Sequence, residues 1–281
     1  MTADRWTSGG LTFDLRVGGP ADGDPVVLLH GFPQNAAEWD GVTARLNAAG
    51  YRTYAPDQRG YSPSARPDGV DAYALDHLVA DVLSLLDHLG LASAHVVGHD
   101  WGAIVAWHLT ARHPDRVRTL TALSVGHPRA FVTALRSDPD QRKKSSYIYF
   151  FRRRWIAERV LLAFNARTLR GVFAGSGLSR DDVDRYVRPL RARGALTATL
   201  NWYRAMRARD SLNAGPVRVP TTYVWSDGDT ALGRAAAEAT GTHVESDYTF
   251  VELEGLTHWL PDQAPDRIAE VVLERVSAPA R

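Results

Sequence analysis

Two patterns of apolar positions alternate along this chain. Residues 26–29 are a continuous run, Val-Val-Leu-Leu, whereas between residues 73 and 89 the apolar side chains recur three and four positions apart. A short continuous run is typical of a strand buried on both faces, and the second spacing is typical of an amphipathic helix. Further strands are predicted at residues 52–55, 95–97, 120–124, 221–225 and 250–253. This alternation predicts an α/β fold with a mostly parallel sheet flanked by helices.

The pattern changes between residues 129 and 216. Strand-like runs are absent there, and Arg, Trp and Tyr crowd helical stretches such as 147–164 and 196–207. A core domain formed by residues 1–128 and 217–281 is therefore interrupted by a helical insertion. The insertion leaves after the C-terminal end of one predicted strand and returns before the next, so it can lie over the edge where open α/β sheets bind ligands. We expect residues 129–216 to form a lid over that C-terminal edge.

Composition narrows the classes of function. The 281 residues carry a formal net charge of +1, which gives no reason to expect nucleic acid or a membrane surface as a partner. The arginines at positions 152–154 lie in a predicted helical stretch and are interpreted as a solvated helix face. The absence of cysteine excludes disulfides, thiolate nucleophiles and Cys-ligated metals. With no hydrophobic targeting segment in residues 1–10, these features favour a cytoplasmic protein, monomeric or homodimeric.

One segment places a single carboxylate between a strand and a helix. Residues 98–103 read Gly-His-Asp-Trp-Gly-Ala, preceded by an apolar run and followed by a helix-like stretch. The small residues two positions before and after Asp100 allow a tight turn that leaves its side chain projecting above the sheet. A carboxylate is ionised at neutral pH and can attack a saturated carbon without a base to activate it. Asp100 is therefore the predicted nucleophile, and epoxides or alkyl halides are favoured over esters as substrates.

Attack by a carboxylate leaves an ester on Asp100, and hydrolysis of that ester requires a general base, usually a histidine held by an acid. His258 follows the predicted strand 250–253, so it lies at the C-terminal edge of the sheet with Asp100. The rival, His243, precedes that strand and falls at the opposite edge. His258 is the predicted base.

Where the nucleophile lies on a tight turn between a strand and a helix, the order along the chain is nucleophile, acid, histidine. We therefore expect the acid between Asp100 and His258 in the sequence. Asp227 and Asp229 both follow the predicted strand 221–225. Asp229 is preferred because Asp227 and Gly228 can form the turn that positions it. Asp227 stays open as the alternative.

A second loop is predicted to lie beside Asp100. Residues 30–33, His-Gly-Phe-Pro, end the first strong strand. In folds of this type, an N–H group from this loop and the N–H of the residue after the nucleophile form an oxyanion hole. The backbone N–H groups of Phe32 and Trp101 are assigned that role, and the side chains of the same two residues are expected to contact the substrate.

Taken together, these segments resemble the epoxide hydrolases of the α/β-hydrolase superfamily, which carry His-Gly-Phe-Pro and Gly-His-Asp-Trp-Gly-Ala. The resemblance runs from about residue 25 to 262 and includes residues 57–62, Asp-Gln-Arg-Gly-Tyr-Ser, where Gln58 replaces the usual leucine. It continues to the Gly-x-x-His-Trp around His258. It implies an α/β-hydrolase fold, a small-molecule epoxide and water as substrates, a vicinal diol as product, and no cofactor or metal.

The resemblance also assigns two tyrosines in the predicted lid. Residues 200–204, Leu-Asn-Trp-Tyr-Arg, are similar to the segment that supplies one ring-opening tyrosine, which places it at Tyr203. Residues 147–152 resemble the Tyr-x-x-x-Phe-Gln segment that supplies the other, at Tyr147, with Tyr149 as the alternative. A phenol stays protonated at neutral pH and can donate a hydrogen bond to the epoxide oxygen as the ring opens.

Two other functions are weighed against this prediction. Haloalkane dehalogenases share the aspartate, histidine, acid and following tryptophan, but their loop typically reads His-Gly-Asn-Pro, where this chain has Phe32. Fluoroacetate-type dehalogenases keep the loop of residues 30–34 but place arginine where this chain has Trp101. A non-catalytic binding protein would be expected to have lost the nucleophile or the base. Epoxide hydrolysis is the leading prediction, with dehalogenation as the alternative.

Overall fold

The computed structural model describes residues 2–278. The strands are β1 (Thr2–Ser8), β2 (Leu11–Gly18), β3 (Pro25–Leu29), β4 (Arg52–Pro56), β5 (Ala94–His99), β6 (Val117–Leu123), β7 (Thr221–Ser226) and β8 (Tyr248–Leu253). They form an eight-stranded sheet in the order β1-β2-β4-β3-β5-β6-β7-β8. Strands β3 to β8 run parallel to one another, whereas β2 pairs antiparallel with both β1 and β4. The predicted α/β class and mostly parallel sheet are confirmed.

Helices connect these strands and cover the sheet. The α-helices are α1 (Asp40–Ala48), α2 (Leu75–His88), α3 (Trp101–Arg112), α4 (Pro128–Ser137), α5 (Pro139–Lys144), α6 (Ser146–Phe151), α7 (Ile156–Gly171), α8 (Arg180–Leu190), α9 (Ala195–Ala205), α10 (Ala208–Leu212), α11 (Arg234–Ala239), α12 (Leu260–Gln263) and α13 (Pro265–Val276). Short 3-10 helices occupy Ala36–Trp39, Asp71–Tyr73, Pro114–Arg116 and Thr240–His243. Within residues 2–278, no helix has the length and apolar character needed to cross a membrane.

Strand β3 explains why the sheet is buried on both faces. Its side chains alternate between two apolar clusters, with Val27 and Leu29 in one and Val26 and Leu28 in the other. All four are fully buried. Helices α2 and α3 contribute to the first cluster, and α1 and α13 contribute to the second. A parallel strand between two helical layers needs apolar residues at every position, which is the run seen in the sequence.

The hydrophobic pattern did not predict β1 and β2. Strand β1 lies at the edge of the sheet and most of its residues are exposed, so it carries no apolar run. Its one buried side chain, Trp6, stacks on Phe13 of β2 with ring centroids 4.4 Å apart. An edge strand with a single buried aromatic residue is a weak signal in a sequence.

Helices α4 to α10 follow β6 and precede β7, in the part of the chain where strand-like runs are absent. The stretch 147–164, predicted as continuous helix, is two helices, because the chain leaves helical geometry after Phe151 and Trp155 adopts a left-handed φ of 69°. The three arginines at positions 152–154 therefore lie in a turn. Their interpretation as part of a helix face was wrong.

Candidate active site

The turn between β5 and α3 holds Asp100 in an unusual backbone conformation, with φ 50° and ψ −117°. Two glycines make the turn possible. A Cβ atom on Gly102 would lie 2.0 Å from the carbonyl oxygen of Leu29, and one on Gly98 would lie 2.4 Å from the carbonyl oxygen of Gly102. Because neither contact is physically allowed, Gly102 is required by the packing of α3 on β3, and Gly98 is required by the close approach of the first turn of α3 to the end of β5.

The carboxylate of Asp100 is buried and hydrogen-bonded to the loop that follows β3. Its Oδ1 atom accepts a hydrogen bond of 2.8 Å from the N–H of Phe32. Gly31 leaves room for this contact, since a Cβ atom there would lie 2.4 Å from the Cβ of Asp100. Burial acts to raise the pKa of Asp100, but the hydrogen bond and charge of His258, together with the Phe32 N–H, hold it below its usual range. Asp100 is therefore ionised at neutral pH.

Trp101 provides the second predicted backbone donor. It is the first residue of α3, so its N–H group has no carbonyl partner within the helix. The Phe32 N–H binds Oδ1 of Asp100, and the Trp101 N–H lies at the N-terminal end of the α3 dipole, directly after Asp100 in the chain. The positive end of the helix favours negative charge at this position.

His258 lies between two carboxylates. Its Nδ1 atom is 2.8 Å from Oδ2 of Asp229, and its Nε2 atom is 3.5 Å from Oδ2 of Asp100. Burial lowers the pKa of His258, but the charges and hydrogen bonds of Asp229 and Asp100 outweigh burial and raise it to about 10. An imidazolium between two carboxylates is the resting state that this geometry favours.

The structure brings Asp229, and not Asp227, to His258. The second carboxylate oxygen of Asp229, Oδ1, accepts hydrogen bonds from the N–H groups of Ala231 and Leu232, at 2.7 and 2.9 Å. Asp227 is exposed, and its Oδ1 accepts from the N–H of Gly255 at 2.7 Å. The two acids thus occupy different places, one facing the imidazole and one closing a surface turn.

His243, the rival base, does not join this group. Its ring stacks on His127 with centroids 4.6 Å apart, and it has no hydrogen bond or ion pair with Asp100 among the described residues. It lies before β8, as its position in the chain indicated.

Two residues that were not predicted hold the backbone of His258. His99 Nε2 and Ser124 Oγ donate hydrogen bonds to the carbonyl oxygen of His258, at 2.8 and 3.0 Å. Burial lowers the pKa of His99 to about 4, so the ring is neutral, and its Nδ1 atom lies 3.4 Å from Oε2 of Glu38. Burial also raises the pKa of the Glu38 carboxyl well above its usual range, so this carboxyl carries a proton that it can donate to His99. The position of His99, directly before Asp100, was the only signal in the sequence.

The two predicted tyrosines come from α6 and α9. Tyr147 is half-buried and Tyr203 is buried, and their ring centroids are 6.1 Å apart. Tyr203 also packs edge-on against Trp101 and Phe32, at 5.0 and 5.4 Å. Tyr149, the alternative to Tyr147, is 70% exposed. Burial and the negative charge of Asp100 raise the pKa of both Tyr147 and Tyr203, so both phenols stay protonated and can donate.

Two cavities meet at Asp100, Tyr147 and Tyr203. The larger one, of about 190 Å³, is also lined by Phe32, Phe151, Val172, Thr230, Ala231, His258 and Trp259. The smaller one, of about 40 Å³, is also lined by Trp101, Ile104, Val125, Pro128, Phe131, Ile148, Met206, Ser211 and Leu232. Phe32 and Trp101 therefore line different cavities on the two sides of the shared residues. Among residues 2–278, no three His, Asp or Glu side chains are grouped to hold a metal ion.

Comparison with known proteins agrees with this fold. The sequence profile of the α/β hydrolase fold family matches residues 24–265. The chain is 36% identical to the AB hydrolase superfamily protein YfhM of Bacillus subtilis, with 94% of each chain covered. It is 32% identical to epoxide hydrolase A of Mycobacterium tuberculosis, with 90% of each chain covered. The crystal structure of epoxide hydrolase A from Mycobacterium thermoresistibile superimposes with a TM-score of 0.86 at 28% identity, over 98% of each chain. The chain belongs to the α/β hydrolase fold family and is a relative of its epoxide hydrolases.

Proposed function

We propose that the protein is an epoxide hydrolase that converts an epoxide and water into a vicinal diol through an alkyl ester on Asp100. One observation carries this proposal: an ionised carboxylate and two protonated phenols, Tyr147 and Tyr203, line the same apolar cavities. The carboxylate suits attack on a ring carbon, and the phenols suit the ring oxygen. The epoxide hydrolases among the relatives support the same reaction.

In the first step, a carboxylate oxygen of Asp100 forms a bond to one ring carbon while the bond from that carbon to the ring oxygen breaks. The oxygen leaves as an alkoxide, a strongly basic group that must be hydrogen-bonded or protonated as the ring opens. Tyr147 and Tyr203 donate to it, and the proton that the alkoxide takes up is replaced from solvent. Their raised pKa, caused by burial and by the charge of Asp100, keeps both phenols protonated until this step.

In the second step, water attacks the ester carbonyl as neutral His258 removes its proton. The acyl–oxygen bond of the ester then breaks, the departing diol oxygen takes that proton from His258, and the carboxylate of Asp100 is regenerated. Esterification removes the negative charge of Asp100, which is one of the groups that raise the pKa of His258. The imidazolium therefore releases its proton to solvent more readily once the ester has formed, which balances the proton that solvent supplied in the first step. Asp229, at 2.8 Å, keeps the neutral imidazole oriented. The N–H groups of Phe32 and Trp101 form the oxyanion hole for the tetrahedral intermediate, a role worth about 3–4 kcal/mol per donor in other hydrolases.

The helical segment, residues 129–216, acts as the lid over a core formed by residues 1–128 and 217–281. This part of the proposal is supported by the position of the tyrosines, since α6 and α9 both belong to the segment that follows β6. The reaction requires no cofactor, because the carboxylate, phenols and imidazole supply every group that reacts. The absence of cysteine accords with a cytoplasmic enzyme, which is also part of the proposal.

The test measures diol from a panel of small epoxides and halide from a panel of bromoalkanes. It compares the wild type with Asp100→Ala and with Asp227→Ala, a control that removes an exposed carboxylate. We expect diol without halide, lost in Asp100→Ala and retained in Asp227→Ala. Release of halide without diol would identify a dehalogenase instead. Diol formation that survives Asp100→Ala would exclude the covalent mechanism.

A further inference from the structure

The turn before α7, the first half of α7 and the break inside it, where the backbone leaves helical geometry at residues 163–166, expose large apolar side chains. Trp155 is 75% exposed, Ile156 52%, Val160 41% and Phe164 89%. Five exposed arginines surround them, and together these nine residues form what we call the lid surface: Arg152, Arg153, Arg154, Trp155, Ile156, Arg159, Val160, Phe164 and Arg167. Large apolar side chains clustered in water are uncommon on monomeric proteins and mark an interaction surface.

The positive charge of the lid surface is not compensated. None of its five arginines forms an ion pair with a carboxylate in the described part of the chain. Glu158 is the one acidic residue between positions 146 and 180. Its Oε1 atom lies 2.8 Å from Nη1 of Arg204 on α9, on the inner side of the segment. The lid surface therefore presents positive charge and apolar groups with no acidic side chain among them.

We propose that the lid surface docks the protein on an anionic membrane. Arginines can pair with lipid phosphates and carboxylates, while Trp155 and Phe164 insert at the level of the headgroups. The combination of arginines with exposed apolar side chains favours a membrane over two other partners, a second copy of the chain and a nucleic acid. A second copy of the chain would bring arginines against arginines, and a nucleic acid would not use the exposed aliphatic side chains of Ile156 and Val160. The formal net charge of +1 did not predict this partner.

The lid surface adjoins an apolar route to Asp100. A cavity of about 270 Å³ is lined by Tyr149 and by Arg152, which belongs to the lid surface. It shares four lining residues with the cavity of about 40 Å³ that reaches Asp100: Phe131, Ile148, Met206 and Ser211. Docking would turn this route toward the lipid, where apolar epoxides concentrate. That last consequence rests on the proposed function, whereas docking itself does not.

The experiment is co-sedimentation of the full chain with phosphatidylcholine vesicles that contain or lack phosphatidylglycerol. We expect binding only to the anionic vesicles, weakened by salt because the Debye length falls from about 10 Å at 0.1 M to about 3 Å at 1 M. Replacing Arg153, Arg154 and Arg159 by glutamine should lower the partition coefficient about a hundredfold, roughly fivefold for each charge. The Trp155→Ser/Phe164→Ser double variant should also lose most of its binding.

The control is the triple variant Arg188→Gln/Arg191→Gln/Arg193→Gln, which removes the same charge from exposed arginines that have no exposed large apolar neighbour. It should bind as the wild type does. Circular dichroism and diol formation from a water-soluble epoxide report whether each variant is folded. If the wild type hydrolyses no epoxide, the proposed function is wrong, but vesicle binding still tests membrane docking independently. Failure to bind, or equal loss in the control, would overturn docking. So would a concentration-dependent dimer that Trp155→Ser/Phe164→Ser abolishes, since the lid surface would then join two copies.

Discussion

Asp100, His258 and Asp229 are held by hydrogen bonds at the edge of the sheet, whereas Tyr147 and Tyr203 are held by contacts between aromatic rings. On the sheet side, the carboxylate of Asp229 accepts two backbone N–H groups and faces the imidazole of His258. On the helical side, the ring of Phe151 lies 5.2 Å from that of Tyr147 and 5.1 Å from that of Tyr203. The same phenyl ring therefore supports both tyrosines.

The difference between hydrogen bonds on the sheet side and ring contacts on the helical side matches what each set of residues does in the proposed reaction. A nucleophile and a base must keep a fixed direction, and hydrogen bonds from turns impose direction. The tyrosines must meet an oxygen whose position varies with the substrate, and edge-to-face ring contacts constrain distance more than direction. We therefore expect changes on the sheet side to stop one chemical step completely, and changes on the helical side to slow the reaction by degrees.

The largest expected effect is that of His258→Gln. The first step needs only Asp100 and the tyrosines, so ester formation should continue while its hydrolysis stops, and turnover should fall by at least about 10⁴-fold. Mass spectrometry should find the protein heavier by the mass of one substrate molecule. His243→Gln is the matched control, and it should turn over normally. Loss of the adduct in His258→Gln would mean that the imidazole is needed before the ring opens.

Replacing the tyrosines should have an intermediate effect. Tyr203→Phe and Tyr147→Phe each remove one donor to the alkoxide and keep the aromatic ring, so kcat should fall about 10²-fold in each. The double variant should be slower than either. Tyr149→Phe serves as the control, because Tyr149 is 70% exposed. If Tyr149→Phe slowed the reaction and Tyr147→Phe did not, the helical side would be in a different register from the one described.

The same contrast separates what the sequence could and could not predict. Strands β3 to β8 are wholly or partly buried, so most of them carry apolar runs in the sequence. Those runs alone predicted that the residues directly after the strands would lie at the C-terminal edge of the sheet. The position of the strands indicated that an acid after β7 would meet His258. The preference for Asp229 over Asp227 came from the turn expected at Asp227 and Gly228. Their catalytic roles stay predictions until the variants are measured.

Other features depend on contacts that no local pattern encodes. The break between α6 and α7 depends on a left-handed Trp155, which residue preferences disfavour. The contact of His99 with the carbonyl oxygen of His258 joins positions 159 residues apart. Its partner Glu38 lies in a 3-10 helix, and burial, together with the charges of Asp262 and Asp100, raises the pKa of its carboxyl well above the usual range. Such buried polar groups become interpretable only once the tertiary structure shows which partner they have.

Two glycine substitutions compare the packing of the sheet side with that of the helical side, through their effects on the free energy of unfolding. Gly102→Ala would force a Cβ atom to within 2.0 Å of the Leu29 carbonyl oxygen, so α3 must move from β3. We expect a loss of about 3 kcal/mol in the free energy of unfolding, together with loss of activity. Gly171→Ala, at the end of α7, meets no atom within 4 Å and should gain about 0.5–1 kcal/mol. Urea unfolding measures both. If Gly102→Ala and Gly171→Ala changed the free energy of unfolding equally, the turn at Asp100 would be less tightly packed than described.

The last prediction concerns pH, and it tests the charge balance on the sheet side without altering the turnover of the wild type at neutral pH. The charges of Asp229 and Asp100 overcome burial and raise the pKa of His258 from 6.5 to about 10 in the folded protein. A group whose pKa is raised by folding stabilises the protein fully below its unfolded pKa and loses that contribution as pH rises toward its folded pKa. A shift of this size corresponds to about 4 kcal/mol lost between pH 6.5 and 10, so the Tm of the wild type should fall about 7 °C more than that of His258→Gln over this range.

The difference between wild type and His258→Gln isolates this one group, because the other titrating side chains are common to both proteins. A difference in Tm that stays constant from pH 6.5 to 10 would mean that His258 is neutral in the resting protein. Esterification of Asp100 would then have no proton to release from the imidazole, and the base would be ready before the first step. The ester that accumulates in His258→Gln would still form, so the two experiments together distinguish when the base is activated from whether it is needed.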